Sequence, residues 1–301
     1  FNRDLFFNFV RLLSGAVVAR SIGPQGFGIW ATIDLLLNYS RVFGAPRFEI
    51  SSVHFMPKTK YQKHEITTLT NIIPIILSFF IIFLVSYYVE SIILIFFNDI
   101  TIDKKLILSS FAYLPIMFSI RNYMYYLLAM EDILSYNRML NIRDALKTIF
   151  TLYLLLFLDL GLWSLIISMH IGGLCALIYG MIKVHKRISM KIKFNFLLLK
   201  KMFNYTYKVY FSEAFGFLSI YLSNLITALL MSPTNLAFFT MGKGKAEWLN
   251  RITNATATVL LPRVSNQIEK GIDSKEVTAK GFRLSFVVLI FLGTIGCIFI
   301  Y

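Results

Sequence analysis

Nine apolar runs divide this 301-residue chain, most of them close to the length at which a helix crosses a bilayer. A crossing takes about 20 predominantly apolar residues, because a helix rises about 1.5 Å per residue and the hydrocarbon core is roughly 30 Å thick. The runs extend roughly from Leu5 to Arg20, Gly28 to Pro46, Leu69 to Tyr88, Leu106 to Met130, Ala145 to Leu158, Leu162 to Ile182, Val209 to Leu230, Leu236 to Leu261, and from Leu284 onward. The fifth is short and the eighth polar. With 57% hydrophobic residues, 15% charged residues and a mean hydropathy of +0.67, the chain is far more apolar than soluble domains are. These features predict an all-α polytopic membrane protein with about nine transmembrane helices and no room for a separate soluble domain.

The formal net charge of +14 does not point to nucleic acid, because the cations sit between the apolar runs and not on one basic face. Counted on alternate connections, 21 Lys and Arg fall on one side and 2 on the other, which places the N-terminus in the cytoplasm. Connections on the outer side are short, the longest running from about Val89 to Lys105, so no outer catalytic domain fits and no enzyme is expected. The longest inner connection, Lys183 to Lys208, mixes Lys191, Lys193, Lys200 and Lys201 with Phe194, Phe196, Leu197, Leu198 and Leu199. It reads as an amphipathic helix on the inner leaflet, with a solvated basic linker as the plainer alternative.

Other chemistry is excluded by spacing. Cys175 and Cys297 lie in separate apolar stretches, as packed thiols do, and predict neither a disulfide nor a metal framework. His54, His64, His170 and His185 lack metal-ligand spacing, so no metal or cofactor is expected. Gly242-Lys243-Gly244-Lys245 lacks the pattern of a phosphate loop. The first run has no small-residue cleavage site and reads as a span. A chain that starts at Phe1 and stops at Tyr301 inside an apolar run is expected to be truncated at one end or both.

An internal repeat links the first and seventh spans. Ser21 to Trp30 (SIGPQGFGIW) parallels Leu230 to Phe239 (LMSPTNLAFF), each with a proline in an outer turn before a small residue and an aromatic. The six spans between the copies fit a transporter built from two parallel six-helix halves.

After the loop cations are set aside, seven basic residues remain in or near spans: Arg11, Arg20, Arg41, Arg121, Lys243, Lys245 and Arg251. The acids within spans are Asp34, Glu213 and Glu247. A charge at a helix centre is disfavoured by about 2.5–3.5 kcal/mol on insertion scales, so this set predicts an internal cavity with a net positive lining. Its candidate binding residues are Arg11, Arg41, Arg121, Lys243 and Arg251, with Arg20 and Lys245 less central. Asp34, Asn38 and Arg41 share one helical face, and Lys243, Glu247 and Arg251 share another. The local alternative is that the acids only pair with cations along their own helices, and both readings stay open here.

The hairpin Ala19-Arg20-Ser21-Ile22-Gly23-Pro24-Gln25-Gly26-Phe27-Gly28-Ile29-Trp30, followed by Phe43-Gly44-Ala45-Pro46, resembles the first turn of Wzx-type polysaccharide flippases. These belong to the multidrug/oligosaccharidyl-lipid/polysaccharide exporter superfamily. The resemblance covers the topology of the whole chain but the motif only in this hairpin, where Ile22 replaces the usual leucine. It implies a two-lobed protein of twelve to fourteen helices that alternates access around a cationic cavity in a bacterial inner membrane. Residues 1–183 would form the N-terminal lobe, 184–205 a cytoplasmic amphipathic linker and 206–301 part of the C-terminal lobe. The implied substrate is an undecaprenyl-diphosphate-linked oligosaccharide such as an O-antigen repeat unit, with membrane lipids and polysaccharide polymerase machinery as partners. Competing readings are a cation-coupled drug exporter of the same superfamily, for which the cavity has too few acids, and an integral-membrane polymerase or glycosyltransferase, for which the outer loops are too short.

Overall fold

The computed structural model describes residues 2–45, 47–57, 62–97, 100, 102–189 and 191–244, with six further positions between 279 and 294; for residues 2–13 it describes the backbone alone. Regular structure among these residues is entirely helical. The elements are α1 (Asn2–Phe43), α2 (Phe48–Phe55), α3 (Lys63–Phe96), α4 (Lys104–Phe111), α5 (Leu114–Ala129), α6 (Ile133–Leu156), α7 (Leu162–His185) and α8 (Phe196–Leu230). The chain forms two compact units, Phe1–Ala237 and Phe238–Tyr301. The first contains α1 to α8. In the second, residues 238–244 are helical.

Three of these helices, α3, α7 and α8, are by length and composition alone apolar enough to cross a membrane. Their outward faces carry large apolar side chains: Phe79, Phe80, Phe83 and Tyr87 on α3, and Phe203, Phe211, Phe215 and Ile226 on α8. Water would not tolerate so continuous an apolar surface. The buried residues of α8 form a narrow stripe, Leu198, Met202 and Thr206 near its start, then Ala214, Phe217 and Ala228. The protein is thus an all-α membrane protein, as its apolar runs predict.

The helices depart from the expected spans where local chemistry intervenes. The first two spans are both carried by α1, and their turn shrinks to one non-helical residue, Gly23, at φ 71° and ψ 171°. Only glycine adopts that region readily, and Pro24 follows with no N–H to continue the ladder. The bend brings Ser14, Gly15 and Val18 before it and Phe27 and Trp30 after it onto one cavity. The fourth run divides into α4 and α5, with Pro115 in the first turn of α5. α6 begins at Ile133, well before Ala145, because the Asp132 carboxylate accepts from the Ser135 N–H (3.0 Å) and caps it. Arg138, Arg143 and Lys147, counted among loop cations in the sequence, therefore lie on a helix.

The amphipathic stretch is likewise continuous with the seventh span. Asn195 caps α8 by accepting from the Leu198 N–H (3.1 Å), so Lys200, Lys201 and Lys208 stand on its first turns. The connection before it is fastened to α3: Lys193 pairs with Glu65 (2.9 Å), and the Asn195 amide donates to the same carboxylate (3.2 Å). Of the eighth run, residues 236–244 are described, and most of the ninth lies outside the described residues.

Polar side chains knit the first unit. Asn122 on α5 donates to the Thr70 carbonyl of α3 (2.7 Å), and Tyr126 bonds the Thr70 hydroxyl. On α7, Gly172, Ala176 and Gly180 recur every fourth residue, the small-residue spacing that lets helices approach closely, and Ser168 bonds Thr151 of α6 (2.6 Å). The second limb of α1 lies along α8, through Val42 with Ala214 and Phe217 and through Leu35 with Ala228.

Candidate functional site

Where α1 ends, the backbone turns at Arg47 (φ −68°, ψ 54°) into the short helix α2. That turn buries both Arg47 and Glu49 among α2, α5 and α8. Buried charges must be paired, and these are. The Arg47 Nε donates to Glu49, one of its terminal nitrogens pairs with Glu213 of α8, and the other reaches the Tyr125 hydroxyl (3.3 Å). From α5, the Arg121 guanidinium lies 2.6 Å from the Glu49 carboxylate and 3.8 Å from that of Glu213. Four charges from three segments, the start of α2, α5 and α8, thus close into one network.

Arg41 stands in the last turn of α1, six residues before Arg47, and acts electrostatically on both Arg47 and Glu49. Its Nε is buried without a hydrogen-bond partner among the described residues. Arg41, Arg47 and Arg121 thus gather around Glu49 and Glu213, with Asp34 further along α1 also acting on Arg41. Glu49 stands on α2, outside the expected spans; burial pushes its carboxyl up to about 7 against the pull of Arg47. A proton taken up there leaves the guanidiniums less compensated. Such a set can receive a phosphate, since each guanidinium presents a planar fork of donors to anionic oxygens.

A second polar group lies further along α1. Asn38 donates to both the backbone carbonyl (2.8 Å) and the carboxylate (3.0 Å) of Asp34, so the shared face expected for Asp34 and Asn38 exists. Asp34 feels the charges of Lys147 on α6 and of Arg41. Lys147 in turn stands over the Trp30 ring, 5.6 Å from its centroid.

The expected site residues therefore divide. Arg41, Arg121 and Glu213 come together, and Asp34 lies about two turns from Arg41 on the same helix. Lys243 belongs to the second unit, where its ammonium lies 6.0 Å from the Phe239 ring centroid. The side chain of Arg11, together with Lys245, Glu247 and Arg251, lies outside the described residues. Charge counting missed Arg47 and Glu49, because both fall just past an apolar run and were assigned to a loop. The signal was present in Ala45-Pro46-Arg47-Phe48-Glu49, a proline-broken end with opposite charges two apart. Such a pair cannot face itself on a helix and needs the break that Arg47 supplies.

Among the described residues no cluster of His, Cys, Asp and Glu could hold a metal ion.

Comparison with curated proteins and with solved structures returns no match. The sequence profile described as polysaccharide biosynthesis protein matches residues 17–299. That stretch takes in the bend at Gly23, the Arg47–Glu49–Arg121–Glu213 network and every helix from α2 to α8. A match over nearly the whole of an all-helical membrane chain makes this protein a member of the polysaccharide biosynthesis protein family.

Proposed function

We propose that the protein is a Wzx-type flippase that carries an undecaprenyl-diphosphate-linked oligosaccharide across a bacterial inner membrane by alternating access. Arg41, Arg47 and Arg121 receive the diphosphate, and Lys147 and Trp30 stand further along the path. The carrying observation is the gathering of three guanidiniums where α1, α2, α5 and α8 meet, in a family of polysaccharide biosynthesis. A diphosphate must lose its hydration to cross, and preformed donors replace part of that solvation. In this reading the N-terminus is cytoplasmic, the protein performs no covalent chemistry, and its partners are the lipid-linked sugar, membrane lipids and polymerase machinery.

Reconstitution of the full-length protein in liposomes with a fluorescent lipid-linked oligosaccharide on one leaflet tests the proposal. Protein-dependent appearance of the label on the opposite leaflet is expected. Failure to move it, with retention of drug efflux under an ion gradient, would favour the exporter reading, which draws on Glu49 as a proton acceptor.

A further inference from the structure

The bend at Gly23 opens a cavity of about 240 Å³ among α1, α6 and α7, separate from the arginine cluster. Phe27 and Trp30 supply aromatic faces, and Lys147, Thr148 and Asp144 of α6 supply polar groups. Asp144 is paired with Arg143 (2.9 Å) and the Lys147 ammonium stands over Trp30, but among the described residues Lys147 makes no ion pair and the Thr148 hydroxyl makes no hydrogen bond. A polar cavity of this kind inside a membrane protein is disfavoured unless something polar fills it.

The lining identifies the class of occupant. An acyl chain is excluded by a lysine ammonium and an aspartate on the wall, because burying them against hydrocarbon is unfavourable. An anionic headgroup is poorly matched, because Asp144 lines the cavity and the Asp34 charge acts on Lys147. A neutral ring with one C–H face and an edge of hydroxyls fits both halves: the C–H face lies on an indole, and hydroxyls accept from Lys147, exchange hydrogen bonds with Thr148 and donate to Asp144. The volume falls below the roughly 300–1,000 Å³ of pockets for drug-sized ligands, so it takes about one sugar ring and not a whole repeat unit.

We infer that this cavity is a sugar subsite, in which Trp30, Lys147 and Thr148 hold one ring of the translocated oligosaccharide. The inference rests on the flippase reading, and it adds a sugar-recognising element distinct from the arginines that face the diphosphate. Gly15 gives a steric handle, because it borders the cavity and a Cβ there would meet nothing within 4 Å.

The test uses the full-length protein in nanodiscs with every tryptophan except Trp30 replaced by phenylalanine. The oligosaccharide released by mild acid from the host's lipid-linked repeat unit should quench Trp30 emission saturably, and undecaprenyl diphosphate should not. Lys147→Gln and Gly15→Leu should each weaken the oligosaccharide response at least tenfold while undecaprenyl diphosphate still raises the melting temperature. No saturable response, a response to undecaprenyl diphosphate instead, or an unchanged response in Gly15→Leu would overturn the subsite. If lipid-linked oligosaccharide stabilises wild type and Gly15→Leu equally and Trp30 stays silent, the carrier stands and the subsite falls. If Trp30 responds to the sugar but no lipid-linked substrate is moved, the subsite stands and the carrier falls. Should the tryptophan-reduced protein fail to fold, a shift in melting temperature by released oligosaccharide, present in wild type and lost in Gly15→Leu, decides the same question.

Discussion

Gly28 and Pro233 meet backbone to backbone: a Cβ on Gly28 would fall onto the Pro233 carbonyl. Gly28 follows the bend in α1, and Pro233 stands just beyond the end of α8. These are the two copies of the proline turn that the internal repeat predicts, so the repeat-related ends touch. Below them Leu35, Ala228 and Leu236 form a buried cluster. Gly28→Leu should separate the two ends and cripple transport. Leu236→Cys, protected in an otherwise wild-type background, should then react with an impermeant thiol reagent from outside. Unchanged protection in Gly28→Leu would mean that the contact does not shield Leu236.

Arg121 and Glu49 make the best-defined ion pair of the cluster, 2.6 Å apart and buried. Removing one member of a buried pair strands the other, at a cost of about 3–5 kcal/mol. Arg121→Ala and Glu49→Ala should each lower the melting temperature markedly, and the double variant should lose less than the sum of the two. A strictly additive double variant, measured by thermal unfolding in detergent above pH 7 where Glu49 is ionised, would show that the two charges do not stabilise one another.

Glu49 also makes the protein's behaviour depend on pH. Its carboxyl is pushed up to about 7 from an ordinary 4.5, so the folded protein holds this proton more tightly than the unfolded chain does. Its contribution to stability is therefore greatest below about 4.5, falls as pH rises through 7, and is flat above. The sign for binding is the same: below 7 the cluster gains positive charge. A lipid-linked oligosaccharide, whose diphosphate is substituted at both ends and does not titrate near neutrality, should bind several-fold more tightly at pH 6 than at pH 8. Glu49→Gln should bind at the tighter level across that range, and a pH dependence that survives in it would assign the effect elsewhere.

Much of this was legible in the sequence for a simple reason: a bilayer reads average hydropathy over about 20 residues, and α3, α7 and α8 stand where the apolar runs place them. Boundaries were less legible wherever a local bond outweighs hydropathy. Asp132 starts α6 early, and Asn195 starts α8 early. The site was half legible. Arg41, Arg121 and Glu213 stood out as charges inside apolar runs, but their partners Arg47 and Glu49 did not, because their burial comes from α5 and α8 packing over a turn. Lys147 was hidden likewise, since its place over Trp30 depends on where α6 begins.

Arg41 separates a binding role from a structural one. Its Nε is buried without a partner among the described residues, whereas Arg121 has two carboxylates within reach. A guanidinium that makes no ion pair among the described residues, and feels Asp34 only along its own helix, contributes little to stability, so Arg41→Ala should change the unfolding free energy by no more than about 1 kcal/mol. Its loss should nevertheless weaken binding of undecaprenyl diphosphate about tenfold or more, the effect of a lost charge-assisted hydrogen bond of about 1.5–3 kcal/mol. Arg41→Lys should restore part of that affinity, because the charge returns without the planar fork. The measurements are thermal unfolding and lipid binding on the same purified variants, with surface-polysaccharide complementation as the cellular readout. An Arg41→Ala variant that unfolds early, or one that binds and complements as wild type does, would remove Arg41 from the path of the diphosphate.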